Sequence, residues 1–115
     1  MYNEGMGSAQ LVELPLFSRL VAELMTDLEL WELQDALAAS PDAGDLIPGG
    51  KGLRKIRWRL RSRGRGKRGG VRVIYYWRKT REVICFVTLY AKSAREDLTR
   101  GQLKALARLV KGQLP

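Results

Sequence analysis

Histidine is missing from this sequence of 115 residues, and cysteine occurs only once, at Cys85. Without histidine, a Ser-His-Asp hydrolase and a histidine-based ribonuclease are both excluded. A single cysteine excludes an internal disulfide, and a zinc site would have to rely almost entirely on carboxylates, which are scattered along the chain. We therefore expect neither a metal nor another cofactor.

Long apolar runs are also lacking, so we expect no contact with a membrane. Residues 1–10 contain no Lys or Arg, and the apolar stretch that follows carries Glu13 and Glu23. A signal peptide needs a basic start and an uninterrupted apolar segment. We therefore expect a cytoplasmic protein, with residues 1–9 as a flexible N-terminus and residues 10–115 as a single domain.

Acidic residues are absent from one segment, residues 51–81, which holds 14 Lys or Arg. The rest of the chain has 7 basic and 12 acidic residues, a formal charge of −5, while the whole chain carries +9. This one segment thus contains the entire positive excess, which is typical of a surface that binds a polyanion.

The N-terminal part of the sequence predicts a weak edge strand and two helices. Residues 10–14 alternate weakly, and apolar residues recur at helical spacing over residues 16–25. Thr26 and Glu29 form a capping-box pattern that starts a second helix, and Pro41 ends it. Residues 41–52 have the Pro and Gly content of a loop.

The C-terminal part predicts three strands and a helix. Residues 53–58 alternate, residues 71–77 are rich in β-branched and aromatic residues, and residues 83–90 form the most apolar strand. Thr99 and Gln102 form a second capping box before an amphipathic C-terminal helix.

These elements together predict an α+β domain: two N-terminal helices, an antiparallel sheet of three to four strands and a C-terminal helix. We expect the helices to cover one face of the sheet. The other face should stay partly exposed and carry the basic strand residues, because charged side chains are rarely buried without a partner.

Three basic residues are expected to converge on that exposed face. Lys55 and Arg57 share one side of their strand, and Arg72 lies on the next strand. Arginine binds phosphate through two parallel hydrogen bonds and stabilises a developing oxyanion. A lysine surrounded by like charges is expected to have a lowered pKa, which suits proton transfer.

Further basic and aromatic residues are candidates for contacts to a nucleic acid. The connection between the first two of these strands is basic and Gly-rich, which suits contacts to the phosphate backbone. Aromatic residues interleave with the cations, and we expect Tyr90 to be the most exposed of them. The candidates for nucleic-acid contact are Arg54, Arg59, Arg61, Arg63, Arg65, Lys67, Arg68, Tyr90 and Arg95.

The run GLRKIRW…GRGKRGGVRVIYYW, followed by FVTLYAKSAREDLT, resembles the RelE/HigB toxins of bacterial type II toxin–antitoxin modules. The HigB-like branch is most similar, with a Lys/Gly-rich loop before a GGxRxIYY strand and a YxK turn after the last strand. The similarity covers about residues 14–110 and implies a small RelE-like α+β domain.

The resemblance also implies an activity, which is endonucleolytic cleavage of mRNA, in many members on the ribosome. The RNA's own 2′-OH acts as the nucleophile, and basic residues supply proton transfer without a metal. By matching positions, Arg72 would bind the scissile phosphate. Lys55 and Arg57 would be the catalytic pair on the preceding strand, with Lys55 as the base. Lys92 would be the acid. Several members carry a functional tyrosine in the C-terminal segment. The corresponding place here is near Thr99, so that role is vacant or passes to Tyr90.

The resemblance implies mRNA, the ribosome and a cognate antitoxin as partners. In the HigB-like branch the antitoxin is a HigA-like helix-turn-helix protein, and operator DNA is bound only through it. Two alternatives stay open at this point. One is a ParE-like toxin that inhibits gyrase and cleaves no RNA, and the other is a non-catalytic RNA- or ribosome-binding module, for which positive charge alone would suffice.

Overall fold

The computed structural model of the protein describes residues 9–60, 70–94 and 97–113. In chain order its main elements are β1 (Gln10–Glu13), α1 (Pro15–Leu24), α2 (Asp27–Ala39), β2 (Asp45–Leu46), β3 (Leu53–Arg59), β4 (Gly70–Arg78), β5 (Val83–Ala91) and α3 (Arg100–Gln113). A short 3-10 helix, Lys79–Arg81, joins β4 to β5.

The strands form one sheet in the order β1-β5-β4-β3-β2. Strands β2 to β5 pair antiparallel, whereas β1 lies parallel to β5. The predicted α+β fold is thus confirmed, with a mixed rather than purely antiparallel sheet and a short fifth strand, β2. Strand β5 has neighbours on both sides and is buried along its whole length, as its apolar sequence predicted.

Both N-terminal helices begin where their sequence signals predict. Pro15 occupies the first turn of α1, where its missing N–H is not needed. At the start of α2, the Glu29 N–H donates to Thr26 Oγ1 at 3.1 Å and the Thr26 N–H donates to Glu29 Oε1 at 2.9 Å. This reciprocal capping satisfies two of the free N–H groups of the first turn. Helix α2 ends at Ala39, just before Pro41.

One face of the sheet packs against α1 and α2. Phe17 of α1 meets Phe86 of β5 with ring centroids 5.2 Å apart and the ring planes tilted. Burying a side chain of this size stabilises the fold by about 1.5–3 kcal/mol. We call this side the α1–α2 face, and its fully buried strand residues include Leu11, Val71, Val73, Tyr75, Ile84 and Phe86.

The opposite face packs against α3, so the expectation that helices would cover only one face is wrong. The predicted capping box of Thr99 and Gln102 is present, with both hydrogen bonds formed at 2.8 and 3.1 Å. We call this side the α3 face; here Leu103, Leu106 and Val110 of the helix pack with the buried strand residues Leu53, Ile74, Cys85, Val87 and Tyr90. The apolar stripe of α3 is buried against the sheet by this packing, as expected for an amphipathic helix.

The loop after α2 is fixed to the sheet by Tyr75. The Tyr75 hydroxyl accepts a hydrogen bond from the Gly44 N–H at 2.8 Å and donates one to the Pro41 carbonyl at 2.7 Å. Burial raises the pKa of this hydroxyl. A Cβ at Gly44 would lie 2.8 Å from the Tyr75 ring, so the close approach requires glycine. None of the helices in the described ranges is long and apolar enough to cross a membrane.

Candidate phosphate-binding site

Lys55, Arg57 and Arg72 lie on one side of the sheet, as the alternation of β3 predicted. Directly opposed residues of antiparallel strands share a face, and the register pairs Arg57 with Arg72 and Lys55 with Ile74. Ile74 belongs to the core under α3, so the cations lie on the α3 face. We call these three residues the cation cluster.

Arg72 is the most enclosed member of the cation cluster. It is 7% exposed, whereas Arg57 is exposed and Lys55 is half-buried. In the register Arg72 lies between Arg57 on β3 and Tyr90 on β5. Like charges facing each other across two strands repel. An arginine held in such a setting is suited to an anionic ligand, which would relieve that repulsion and accept its hydrogen bonds.

An acidic residue that the sequence analysis missed contacts the cation cluster. Lys55 Nζ donates to Asp97 Oδ1 at 2.6 Å, an ion pair between residues 42 positions apart. The hydrogen bond and charge of Lys55 lower the pKa of Asp97, and Arg72 and Arg57 lower it further. Lys55 therefore does not have the purely cationic surroundings that we expected. No local motif marks Asp97, because its contact depends on how α3 docks.

Tyr90 was expected to be the most exposed aromatic residue, and this prediction is wrong. It is 9% exposed, because it packs in the core under α3 with Leu103 and Leu106. Tyr75 is fully buried, and the remaining aromatic residues of this region, Trp58, Tyr76 and Trp77, are half-buried. Tyr90 therefore lies beneath the site, next to Arg72 in the register, rather than on the surface.

Arg54 does not join the cation cluster, although it is next to Lys55 in sequence. It pairs with Tyr75 in the register and so lies on the α1–α2 face. Its Nη1 donates to the Gly44 carbonyl at 2.7 Å and to the Asp42 carbonyl at 3.3 Å, and its guanidinium carbon lies 5.9 Å from the centroid of Trp77. These contacts hold the loop after α2, which is a structural role.

Two other predicted residues lie at the end of the sheet where the basic connection begins. Arg59 is exposed and pairs with Gly70 in the register. Lys92 is exposed and follows β5 directly, and its N–H donates to the Gly70 carbonyl at 3.2 Å. The predicted contacts that lie outside the described residues are Arg61, Arg63, Arg65, Lys67, Arg68 and Arg95.

The arrangement favours phosphate chemistry. Two guanidinium groups and one ammonium group face the same side of the sheet. Their three positive charges outnumber the one negative charge of Asp97. Such a set can bind a phosphodiester and stabilise the extra charge of its transition state. Within residues 9–60, 70–94 and 97–113, no group of three or more acidic or cysteine residues is arranged to hold a metal ion.

Comparisons with known proteins agree with this fold. The sequence model of a family described as the RelE toxin of the RelE/RelB toxin–antitoxin system matches residues 17–114, which is most of the chain. Among solved structures, the fold is similar to that of the E. coli toxin RelE, solved in the free state as a mutant with two arginines replaced by alanine. The TM-score is 0.54 at 19% sequence identity, and the match covers 90% of this chain and 96% of that chain.

Proposed function

Because the chain belongs to the RelE toxin family, we propose that it is an endoribonuclease that cleaves mRNA and so inhibits translation. The single observation that carries the proposal is the cation cluster, in which Arg57 and Arg72 face each other on adjacent strands with Lys55 beside them. We further propose that it acts in the cytoplasm, on mRNA in the ribosome, without a metal and with the RNA's 2′-OH as the nucleophile.

In the proposed reaction the 2′-OH attacks the adjacent phosphorus and the bond to the 5′-oxygen of the next nucleotide breaks. The 2′-OH proton goes to a base, and the leaving oxygen takes a proton from an acid, so the products are a 2′,3′-cyclic phosphate and a 5′-OH. Arg72 and Arg57 stabilise the charge on the phosphoryl oxygens. Lys55 is the proposed base and Lys92 the proposed acid.

The contact between Lys55 and Asp97 places a condition on this mechanism. Lys55 Nζ is held at 2.6 Å from Asp97 Oδ1 as an ammonium group, so the contact has to open and Lys55 has to give up its own proton before the neutral amine can take the proton of a 2′-OH. Single-turnover cleavage tests the assignment: Lys55→Arg keeps the positive charge but cannot give up its proton, so it should lose most of the rate if Lys55 is the base.

We propose a cognate antitoxin of the HigA-like helix-turn-helix type as the partner, with operator DNA bound only through it. The positive charge of the cation cluster favours an acidic segment of that partner as its cover. Cleavage measured at saturating antitoxin tests this idea, because activity that stays undiminished would contradict it.

The test of the activity is inducible expression with the cellular RNA mapped by primer extension. Wild type should arrest growth and cut inside translated codons, and Arg72→Ala should lose both effects. Arg19→Ala, an exposed change on α1, is the matched control and should behave as wild type. Arrest without cuts would favour a ParE-like gyrase inhibitor, and absence of arrest would favour a non-catalytic binding module.

A further inference from the structure

A cavity of about 280 Å³ opens directly beside the cation cluster. Its floor is apolar and consists of Ile74, Tyr90 and Leu103, which are all buried, and the half-buried Leu98 lines its wall. At the rim stand Lys55 and Asp97, the two partners of the ion pair. Lys55 thus belongs both to the cation cluster and to this cavity, which we call the Lys55 pocket.

The chemistry of the Lys55 pocket differs from that of the cation cluster. An apolar floor offers nothing to a phosphate, but it matches the flat face of a nucleobase, and Tyr90 adds an aromatic ring. Sequence-specific recognition of single-stranded RNA commonly uses an unstacked base that packs on an aromatic side chain and forms hydrogen bonds through its edges. A base and the phosphate on its own sugar belong to one nucleotide, and Lys55 borders both the pocket and the cation cluster, so the two sites lie side by side.

Asp97 supplies a polar group with a defined preference at the rim. Its Oδ1 accepts the hydrogen bond from Lys55, and Oδ2 is an acceptor that this contact does not use. The neighbouring cations keep the pKa of Asp97 below its usual range, so the carboxylate only accepts hydrogen bonds at neutral pH. The side chain is 68% exposed, so a ligand can approach it.

We propose that the Lys55 pocket binds one unstacked nucleobase next to the scissile phosphate, and that Asp97 selects bases that carry an exocyclic amino group. Adenine, cytosine and guanine offer such a donor, whereas uracil presents carbonyl oxygens in its place. The inference rests on the proposed ribonuclease function and adds a specificity-determining subsite to it.

The first experiment compares cleavage of mRNA carrying each of the four bases around the cut, for wild type and Asp97→Asn. Wild type should disfavour uracil at one position flanking the cut by about tenfold, the discrimination expected of a good hydrogen bond to a base. Asp97→Asn should largely remove this preference, because an amide both donates and accepts. Glu23→Gln, the same kind of change at an exposed site on α1, should leave the preference intact.

A second experiment measures occupancy of the pocket without cleavage. A short RNA with 2-aminopurine at the flanking position and a 2′-deoxy nucleotide at the cut is mixed with the protein, and its fluorescence is followed. Wild type should change the fluorescence of the probe on binding, and Leu98→Trp, which fills the cavity, should abolish that change. If RNA is never cleaved but this pattern is seen, the proposed function fails while the base subsite stands.

Two results would overturn the inference. In the first, Asp97→Asn keeps the base preference of wild type and cleaves every sequence faster. Asp97 would then only compete with the RNA phosphate for the cations and would not contact a base. In the second, Leu98→Trp leaves the fluorescence change of the probe intact, so the base would bind outside the pocket. This result can be obtained even if Asp97→Asn does not fold.

Discussion

The two faces of the sheet are built from the same strands but differ in what covers them. Helices α1 and α2 lie over one face, where β4 and β5 present only apolar residues and Tyr75. Helix α3 covers the other face only in part, and the cation cluster lies on that same face. The α1–α2 face therefore contributes stability, and the α3 face combines a core with the candidate site.

Adjacent residues of β3 illustrate this difference. Arg54 and Lys55 carry the same charge, yet Arg54 binds loop carbonyls on the α1–α2 face and Lys55 meets Asp97 on the α3 face. Because side chains alternate along a strand, a shift of one residue exchanges the two environments. A basic strand therefore does not consist of equivalent cations, and substitutions at neighbouring positions should have different consequences.

The largest expected effect is that of Arg72→Ala on the α3 face. Loss of the most enclosed cation should slow single-turnover cleavage of mRNA by about 10²–10³-fold, which is typical for removal of one donor to a developing oxyanion. The unfolding free energy should change little, because lost packing is offset by relief of repulsion with Arg57. Arg72→Lys keeps the positive charge but lacks the planar guanidinium group that forms two parallel hydrogen bonds, so it should retain intermediate activity. Full activity of Arg72→Ala would remove it from the site.

The corresponding change on the α1–α2 face is Tyr75→Phe. It removes the hydroxyl that bonds to Gly44 and Pro41, and it leaves a buried N–H without that acceptor. The unfolding free energy, measured by urea titration, should fall by about 1–3 kcal/mol. Cleavage per folded molecule should stay at the wild-type level. A strong loss of cleavage without loss of stability would show that the two faces do not divide the roles in this way.

A smaller effect concerns the ionisation of Asp97. Followed by NMR, its carboxyl should titrate below its usual midpoint of about 3.9, and Lys55→Met should move the midpoint upwards. Since the folded pKa is lowered, the ion pair stabilises the fold above the pKa of the unfolded chain. That stabilisation is lost as the pH falls through the folded pKa, so it is complete at neutral pH. An unchanged midpoint in Lys55→Met would contradict the assigned cause.

The smallest expected signal is the reactivity of Cys85, which lies in the core under α3. Burial raises the pKa of this thiol to about 11, so its thiolate is scarce at neutral pH. Labelling with a thiol reagent should be slow and follow global unfolding, as measured by its dependence on urea. Rapid labelling of the folded protein would mean that α3 detaches from the sheet without global unfolding. The core under α3 would then be less stable than the core under α1 and α2.

The sequence carries enough local information to predict most of these elements. Both capping boxes, the stop at Pro41 and the strands β3 to β5 follow from short patterns, and the alternation around Lys55 predicted which cations share a side. The RelE/HigB resemblance is confirmed at the level of the RelE family, while the HigB-like branch stays a prediction.

Other features depend on how the elements come together, which no local pattern encodes. The parallel pairing of β1 with β5 and the docking of α3 on the second face are contacts between distant segments. The burial of Tyr90 and the contact of Asp97 both follow from the docking of α3. The catalytic roles of Lys55, Arg57, Arg72 and Lys92 stay predictions.

The most direct test of the account is to compare Arg54→Ala with Arg57→Ala, measuring for each the cleavage rate and the unfolding free energy. Arg57→Ala should lose most of the cleavage and keep its stability. Arg54→Ala should keep the cleavage rate of the folded protein and lose about 1–2 kcal/mol of stability through its contacts to the loop carbonyls. Equal losses of cleavage in both variants would contradict the central claim, because general positive charge rather than the α3 face would then carry the activity.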